Sequence, residues 1–572
     1  MSIGWAEPSP TVQIHIDGFG TMEGPRGSTI LQFLRASDLV LPAPVVGAIL
    51  NGELQELTTT VNRESTLSFV LMSDADGARI YRRSLSFLLS AAFTTLFPGA
   101  TLHIDHSVYP GGYYCHVGGR EPLEPVELFS LKAEMNRLVD QDLPFDKKEI
   151  SLSEAIAKFS TANEMDKVDL LKYRTKDHVT LYTLGNYTDY HHGYMVPSTG
   201  FLSWFDLATA NGGFILRYPK RHTPTKTDHI EQFPALLSTF KIYGDWLKAL
   251  GIDTVGALND SIAKDRGKEL VLVSEAFHEQ QIANIARKIL DRKENNKVIL
   301  VSGPTSSGKT TFSRRLTVQL LSLGISPFPL ELDNYFLDRE NTPRDSEGNY
   351  DFEDINALNL QQLSDHLTKL IKGETVRLPK FNFVTGRQEM GDEVTLKPGQ
   401  MLILEGIHGL NPQLIPPELY GRSYKIYISA LTQLNLDYHN RVSTTDTRLL
   451  RRIVRDNTQR GYSAAQTISM WESVRRGEEK HIFAYQDNAD IMFNSALVYE
   501  LAILKPLVEP LLRQVPHSTP EYIEAKRLLA FLEWFLPMQP DLIPDNSILR
   551  EFVGGSNLRD FSGWKRETLT KP

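Results

Sequence analysis

Apolar residues recur with period two near the N-terminus, at Val12, Ile14 and Ile16 and again at Leu67, Phe69 and Leu71, with a short apolar run at Val45–Leu50 between them. This pattern predicts strands. Asn51-Gly52 follows the second run; both residues tolerate positive φ, so the pair predicts a hairpin turn. Thr29–Ala36 has helical spacing, and the stretch reads as a small β-grasp-like α+β unit over residues 1–75. From 76 to 222 an apolar helix, Leu85–Phe97, precedes Gly-, Tyr- and His-rich segments with strand character, and a second α+β domain is expected. Residues 223–295 are helical in pattern: Ile230, Phe233, Leu236, Leu237 and Phe240, then Ile282, Ile285, Ile289 and Leu290 on one face. The charged run Asp291–Asn296 reads as a linker.

After residue 296 the pattern changes. Short apolar strands are predicted at Lys297–Val301, Phe328–Leu332, Met401–Leu404, Tyr424–Ile428 and Ala489–Phe493, with helical segments between them. One helix, Phe312–Leu323, is closed by Gly324. Such alternation predicts an α/β unit over 296–515 with a mostly parallel sheet. Residues 516–572 contain a helix at about Tyr522–Leu536 and form a tail expected to pack on this unit or its neighbour. The fold class is therefore multidomain, α/β and α+β.

Composition narrows the setting. A net charge of −9 argues against a chain that coats nucleic acid. The single cysteine, Cys115, excludes an intrachain disulfide and fits a reducing, cytoplasmic location. The first residues lack a basic segment followed by an apolar run, so no signal peptide is expected. Leu85–Phe97 is too short to span a bilayer.

The chemistry is concentrated after residue 300. Gly303-Pro304-Thr305-Ser306-Ser307-Gly308-Lys309-Thr310 fits G-x-x-x-x-G-K-[ST] between a predicted strand and a predicted helix. The glycines let the backbone wrap so that its N–H groups face phosphates, the following helix presents its positive end, and Thr311 completes the expected ATP-binding stretch. Lys309 is placed to reach the β- and γ-phosphates and Thr310 to ligate Mg²⁺, so ATP and Mg²⁺ are the expected cofactors.

Asp333, just past the second strand of this unit, stands at the carboxyl edge where open α/β sheets bind ligands. A carboxylate there can accept the proton of an attacking hydroxyl. Glu405 ends an apolar strand, a position suited to a metal partner. Arg448, Arg452 and Arg455 share one helix face. Between residues 448 and 460 five arginines face one acid, Asp456, which predicts a cationic lid over phosphoryl oxygens.

These stretches, with Asp333-Asn-Tyr335-Phe336, Tyr350-Asp351-Phe-Glu-Asp354, Leu378-Pro-Lys-Phe381-Asn-Phe383, Glu405-Gly-Ile407 and Asp446-Thr-Arg448 through Arg460-Gly461, resemble the uridine kinase and phosphoribulokinase family of P-loop kinases. The resemblance implies transfer of the ATP γ-phosphate to a small-molecule hydroxyl, a nucleoside 5′-hydroxyl above all. Asp333 would be the base, Lys309, Arg448 and Arg452 would serve the transfer, and Tyr335, Asp351, Phe381, Arg387 and Arg455 would face the acceptor, with Asp351 on the ribose hydroxyls. The Tyr and His with which uridine kinases read a pyrimidine are replaced by the run Phe381–Arg387, so uracil specificity is not implied.

The N-terminal half resembles the N-terminal region of threonyl-tRNA synthetase. Residues 11–72 are similar to its TGS domain, and Ile80 through Phe97-Pro98, then Tyr109-Pro-Gly-Gly-Tyr113-Tyr114, to its editing domain. Editing domains carry a His-x-x-x-His pair and a later Cys and His. Here those positions align with Arg83, Phe87, His191 and Met195, which implies a degenerate module without hydrolytic chemistry. His191 and His192 read as polar loop residues, with a functional role as the alternative. Two further readings stand beside the kinase: an RNA- or ligand-sensing regulatory NTPase, and a trans-acting editing hydrolase disfavoured by the lost ligands. RNA contact by the N-terminal half stays open, no membrane partner is expected, and a homo-oligomer is.

Overall fold

The computed structural model describes residues 9–561, apart from residues 110, 229–233, 295, 346, 347, 349 and 383. Ile230 and Phe233, expected in a helix, lie outside the described residues, as does Phe383. Among the described residues no helix is long and apolar enough to cross a membrane.

The first sheet has the order Gly20–Pro25, Thr11–Ile16, Ser65–Leu71, Val45–Leu50, Glu53–Gln55. Thr11–Ile16 runs parallel to Ser65–Leu71 while the other pairs are antiparallel. Val12, Ile14 and Ile16 are buried and the residues between them are not, which is the alternation seen in the sequence. Asn51 and Gly52 take φ of 51° and 81° and turn the chain into Glu53–Gln55. Thr29 and Gln32 cap the crossing helix, Ile30–Ala36, reciprocally.

The next helix runs from Ala75 to Leu96, a full ten residues before the apolar stretch begins. Its first turns carry Arg79, which pairs with Asp76 and with the distant Glu524, Arg82, which donates to the Ala78 carbonyl, and Arg83, which donates to the Tyr194 carbonyl, so apolar periodicity did not reveal them. Against it lie a four-stranded sheet, Asp206–Ala210, Gly213–Arg217, Gly112–Gly118 and Thr101–Val108, and a three-stranded sheet, Tyr187–Tyr190, His178–Leu184 and Asp146–Ser151. Three helices follow, Pro234–Leu250, Val255–Ala263 and Gly267–Asp291, the last burying Ile282, Ile285 and Ile289.

The third large sheet has the order Pro327–Glu331, Met401–Glu405, Val298–Ser302, Ser423–Ser429, Ile491–Asn494, and every pair is parallel. Its central strand, Val298–Ser302, is buried along its whole length. Ile299 and Val301 belong to one hydrophobic core, Val298 and Leu300 to another. The pleat thus serves both faces of the sheet, as a parallel sheet covered on both sides requires.

Two polar networks join the units. Lys167, Asp189 and Asp437 are all but fully buried. The Lys167 ammonium lies 2.6 Å from Asp189 Oδ1, and His439 Nδ1 lies 2.7 Å from Asp189 Oδ2. In the second network Arg79 donates to Glu524 on the helix Glu521–Leu532, and Arg527 of that helix pairs with both oxygens of Asp446 at 2.8 Å.

Burial alone would raise the Asp189 carboxyl, but Lys167 and His439 hold it well below the usual carboxylate range. A depressed carboxyl stabilises the fold fully above its unfolded pKa, and the contribution is lost as pH falls through the folded value. Asp189→Asn should therefore cost about 3 kcal/mol at neutral pH, the lower end for stranding a buried partner. Urea denaturation of wild type and variant should show the difference shrinking once pH falls below about 4.

Candidate active site

The carboxyl edge of the parallel sheet gathers the sequence-predicted chemistry. Val298–Ser302 leads into residues 303–308, and the helix Lys309–Ser322 follows. A Cβ on Gly303 would stand 1.9 Å from the Ile428 carbonyl oxygen, so the loop passes the neighbouring strand at a distance only glycine allows. Gly308 takes φ of 86°. Ser306 is also left-handed at φ 57°, strained backbone of the kind that collects at ligand clamps. The Ser306 and Ser307 hydroxyls are buried without a hydrogen-bond partner, and Lys309 Nζ donates to the Pro304 carbonyl at 3.1 Å. Orphaned donors on a wrapped loop at a helix N-terminus fit the phosphates of a nucleotide.

Thr310 Oγ1 donates to Glu405 Oε2 at 3.2 Å. Burial pushes the Glu405 carboxyl up to about 8; Lys309 opposes the rise, while Asp333, Glu331 and Glu551 add to it. A hydroxyl and a carboxylate amid surplus negative charge are a donor set suited to Mg²⁺.

The arginines are not a free lid. Arg448 pairs with Glu478 and donates from Nε to the Thr305 carbonyl at 3.1 Å. Glu478 also accepts from the Thr305 N–H at 3.0 Å. Arg451 pairs with Glu500 and donates to the carbonyls of Ser306 and Ser495, at 3.4 and 2.8 Å. Counting acids only along the arginine helix, Thr444–Arg460, overlooked these two partners, which lie on the next two long helices. Arg452, Arg455 and Arg460 share Asp456. Arg452 also reaches the Thr305 hydroxyl at 3.4 Å. Arg448 and Arg451 therefore brace the phosphate loop from beneath.

Asp333 follows the strand Pro327–Glu331 in a short 3₁₀ turn. Asp333 is open to solvent at this edge, yet the protein packed around its carboxyl raises it by desolvation, against the pull of Lys309, Arg460 and Arg455. Beside it lies a cavity of about 310 Å³ lined by Thr310, Glu405, Glu331, Asn334, Tyr335 and Pro379 among others. Tyr335 contributes to this wall, but its side chain is buried and its hydroxyl meets His366 at 3.1 Å. Phe381 is buried too, edge-on to Phe336. Its ring, expected to face the acceptor, is taken up by core packing. Arg387 is exposed on the hairpin that pairs Val376–Asn382 with Arg387–Val394. Asp351 lies beside Asp354 and His481.

The sequence held no signal for the next contact. The C-terminal tail returns to the phosphate loop, and Glu551 Oε2 accepts from the Thr311 N–H at 3.0 Å, in the first turn of the P-loop helix. Ile548 lies so close to Gly308 that a Cβ there would stand 2.5 Å from its Cγ2. Gln459 donates to the Glu551 carbonyl at 2.7 Å, and the Arg451 guanidinium lies 4.9 Å from the Phe552 ring centroid. Arg559, Asp560 and Phe561 close one side of the cavity.

In the N-terminal half the four aligned editing positions do come together, with their space filled. Phe87 packs edge-on against His191 at 5.2 Å between ring centroids and against Phe145, Tyr182 and Tyr187. Met195 Sδ lies 3.7 Å from the Ser84 hydroxyl, and Arg83 donates to the Tyr194 carbonyl. The two histidines are not the polar loop residues expected. His191 is 3% exposed, and His192 is half-buried with Trp534 Nε1 donating to its Nδ1 at 3.4 Å. Burial drives both imidazoles down to about 3, so they are neutral at physiological pH.

Residues 298–502 match the sequence profile of the Phosphoribulokinase / Uridine kinase family, and the chain carries a domain of that family over this stretch. The N-terminal region is similar to threonine–tRNA ligases. It is 32% identical to that of Lawsonia intracellularis over 173 residues, 30% of this chain and 26% of the relative. It is 29% identical to that of Desulforamulus reducens over 189 residues, 33% of this chain and 30% of the relative. The chain thus spans less than a third of either ligase. A solved structure described as a possible uridine kinase from Bacillus stearothermophilus is 19% identical, covering 38% of this chain and 98% of its own, with a TM-score of 0.26.

The Glu551 carboxylate and a nucleotide phosphate cannot both accept from the Thr311 N–H. Glu551→Ala should tighten binding of a non-hydrolysable ATP analogue about tenfold, the equivalent of one hydrogen bond to a charged group. Calorimetric titration of wild type and variant reads this directly, and equal affinities would show that the tail and the nucleotide do not compete.

Proposed function

We propose that this phosphoribulokinase/uridine-kinase-family domain transfers the γ-phosphate of ATP to a hydroxyl of a small molecule, with a nucleoside 5′-hydroxyl as the preferred acceptor class. The observation that carries the reading is Asp333, a carboxylate with a raised pKa at the carboxyl edge of the sheet, within the electrostatic reach of Lys309. A switch that only hydrolyses a nucleotide has no need of a hydroxyl-activating carboxylate there.

In this reading the phosphate loop and Lys309 hold the β- and γ-phosphates, and Thr310 and Glu405 hold Mg²⁺, which neutralises phosphate charge when bound. Asp333 orients the acceptor hydroxyl and takes its proton as the new O–P bond forms and the bond to the β-phosphate oxygen breaks. The elevated carboxyl makes Asp333 a stronger base than an aspartate of ordinary pKa. Lys309, Arg460 and Arg455 stand near enough to oppose the rise. Arg448 acts through the Thr305 backbone and is a positioning residue. Asp351 and Arg387 are left as candidates for acceptor contact, while Phe381, being buried, is not a stacking platform.

A panel of nucleosides and other small hydroxyl compounds assayed with ATP for a phosphorylated product tests the reading. Lys309→Ala should abolish transfer while the protein stays folded by circular dichroism. Asp333→Asn should lower kcat by roughly 10²–10⁴-fold with ATP affinity nearly unchanged; collapse of ATP binding would instead assign Asp333 to the metal. Because Asp333 must be ionised to act, the acid limb of kcat/KM should fall above the ordinary aspartate range, activity rising with pH through that limb. Uridine should not exceed cytidine, adenosine and guanosine by more than about a hundredfold in kcat/KM, since the residues that hydrogen-bond a pyrimidine edge are replaced. The full chain should release no amino acid from mischarged threonine-type tRNA, as Arg83, Phe87 and Met195 offer no imidazole or thiolate.

A further inference from the structure

Away from Thr310 and Glu405, three potential ligand atoms converge. His481, the last residue of the helix Ala464–His481, brings Nε2 to 3.9 Å from Asp351 Oδ2 and 3.8 Å from Asp354 Oδ2, and the three atoms lie within 4.8 Å of one another. Each carboxylate uses its other oxygen locally. Asp351 Oδ1 accepts from the Glu353 N–H, and Asp354 Oδ1 from the Asn356 N–H and side-chain amide. This fixes both side chains and leaves the two Oδ2 atoms facing the imidazole.

The independent observation is His481 itself. The residue is 8% exposed, and Nε2 is buried with no hydrogen bond, because both carboxylate oxygens stand too far away to accept one. A buried imidazole nitrogen aimed between two carboxylate oxygens without bonding either has a geometric explanation. An ion at the centre of the three atoms would lie within about 2.5 Å of each, and a small contraction reaches the metal–ligand distances of about 2.0–2.2 Å. His408 packs its ring edge-on 6.3 Å from that of His481.

We propose that Asp351, Asp354 and His481 form a site for a divalent transition cation, Zn²⁺ or Mn²⁺. One imidazole with two carboxylates favours such an ion over Ca²⁺ or Mg²⁺, which take oxygen ligands. Three protein ligands leave open positions for water or a ligand hydroxyl. The ion would pin the segment 351–354 to the helix whose Glu478 braces the phosphate loop. The inference goes beyond the proposed phosphoryl transfer and does not rest on it. Asp351 has a single free oxygen, so a bound cation would take the place of the direct ribose contact that the family resemblance implies.

The test uses the full chain without nucleotide. Co²⁺ added to the protein should give a hyperfine-shifted, exchangeable imidazole N–H proton resonance that Zn²⁺ abolishes. Thr310 and Glu405 offer no imidazole, so a cation bound there gives no such signal, and its absence from wild-type protein would overturn the proposal without any variant. Calorimetric titration with Zn²⁺ should then show one site weakened at least about tenfold in Asp354→Asn and in His481→Gln, the scale of losses seen when metal sites are disturbed. Unchanged Zn²⁺ affinity in folded variants would equally reject the site.

Discussion

Two guanidinium groups buried beneath the phosphate loop set the geometry of the kinase domain. Arg448 and Arg451 are at most 1% exposed, and so are costly to bury unless every charge is answered. Glu478 and Glu500 answer them, each from a different helix, and further donors go to the carbonyls of Thr305, Ser306 and Ser495. Three helices and the loop are thereby locked into one arrangement, since moving any of them strands a charge in a low-dielectric interior. The loop's strained Ser306 and its close pass over Ile428 are held in place by this demand rather than by the loop's own preferences.

The same logic extends across the chain. Asp189 lies in the synthetase-like half and His439 in the segment leading to the arginine helix, and their contact is buried together with Lys167. Arg527 grips Asp446 at the start of that helix, while its neighbour Glu524 holds Arg79 far upstream. The helix beneath the phosphate loop is therefore anchored to the N-terminal half by two polar networks. A core filled with aromatic rings around Phe87 suits this role, because a solid core transmits position better than an open cavity.

What could be read from sequence was what is local. The phosphate loop is a contiguous motif whose flanks announce strand and helix, and the parallel sheet follows from apolar runs spaced by helices. Asn51-Gly52 specified its turn through its own backbone preferences. What escaped depends on residues far apart. Glu478 and Glu500 are distant from the arginines they neutralise, so the arginine helix looked like an unpaired cationic face. Tyr335 and Phe381 sit in family motifs, yet three-dimensional packing turns them inward. His191 sits in a polar stretch but is covered by Phe87, a neighbour about a hundred residues away. Glu551 had no motif at all, because a carboxylate capping a distant helix obeys no spacing rule.

The tail also bears on how the nucleotide site responds to its surroundings. Glu551 is tethered through the helix Glu521–Leu532, so it reaches the Thr311 N–H as an intramolecular ligand. A tethered group acts at an effective concentration, about millimolar for short flexible connections and fixed by the length and stiffness of the chain between anchor and tip. A tail that competes with nucleotide for this N–H would be always present, never diluted and independent of protein concentration. Under such competition, occupancy of the phosphate loop would depend on the ratio of dissolved nucleotide to this built-in constant, and the C-terminal segment would set the nucleotide concentration at which the loop fills.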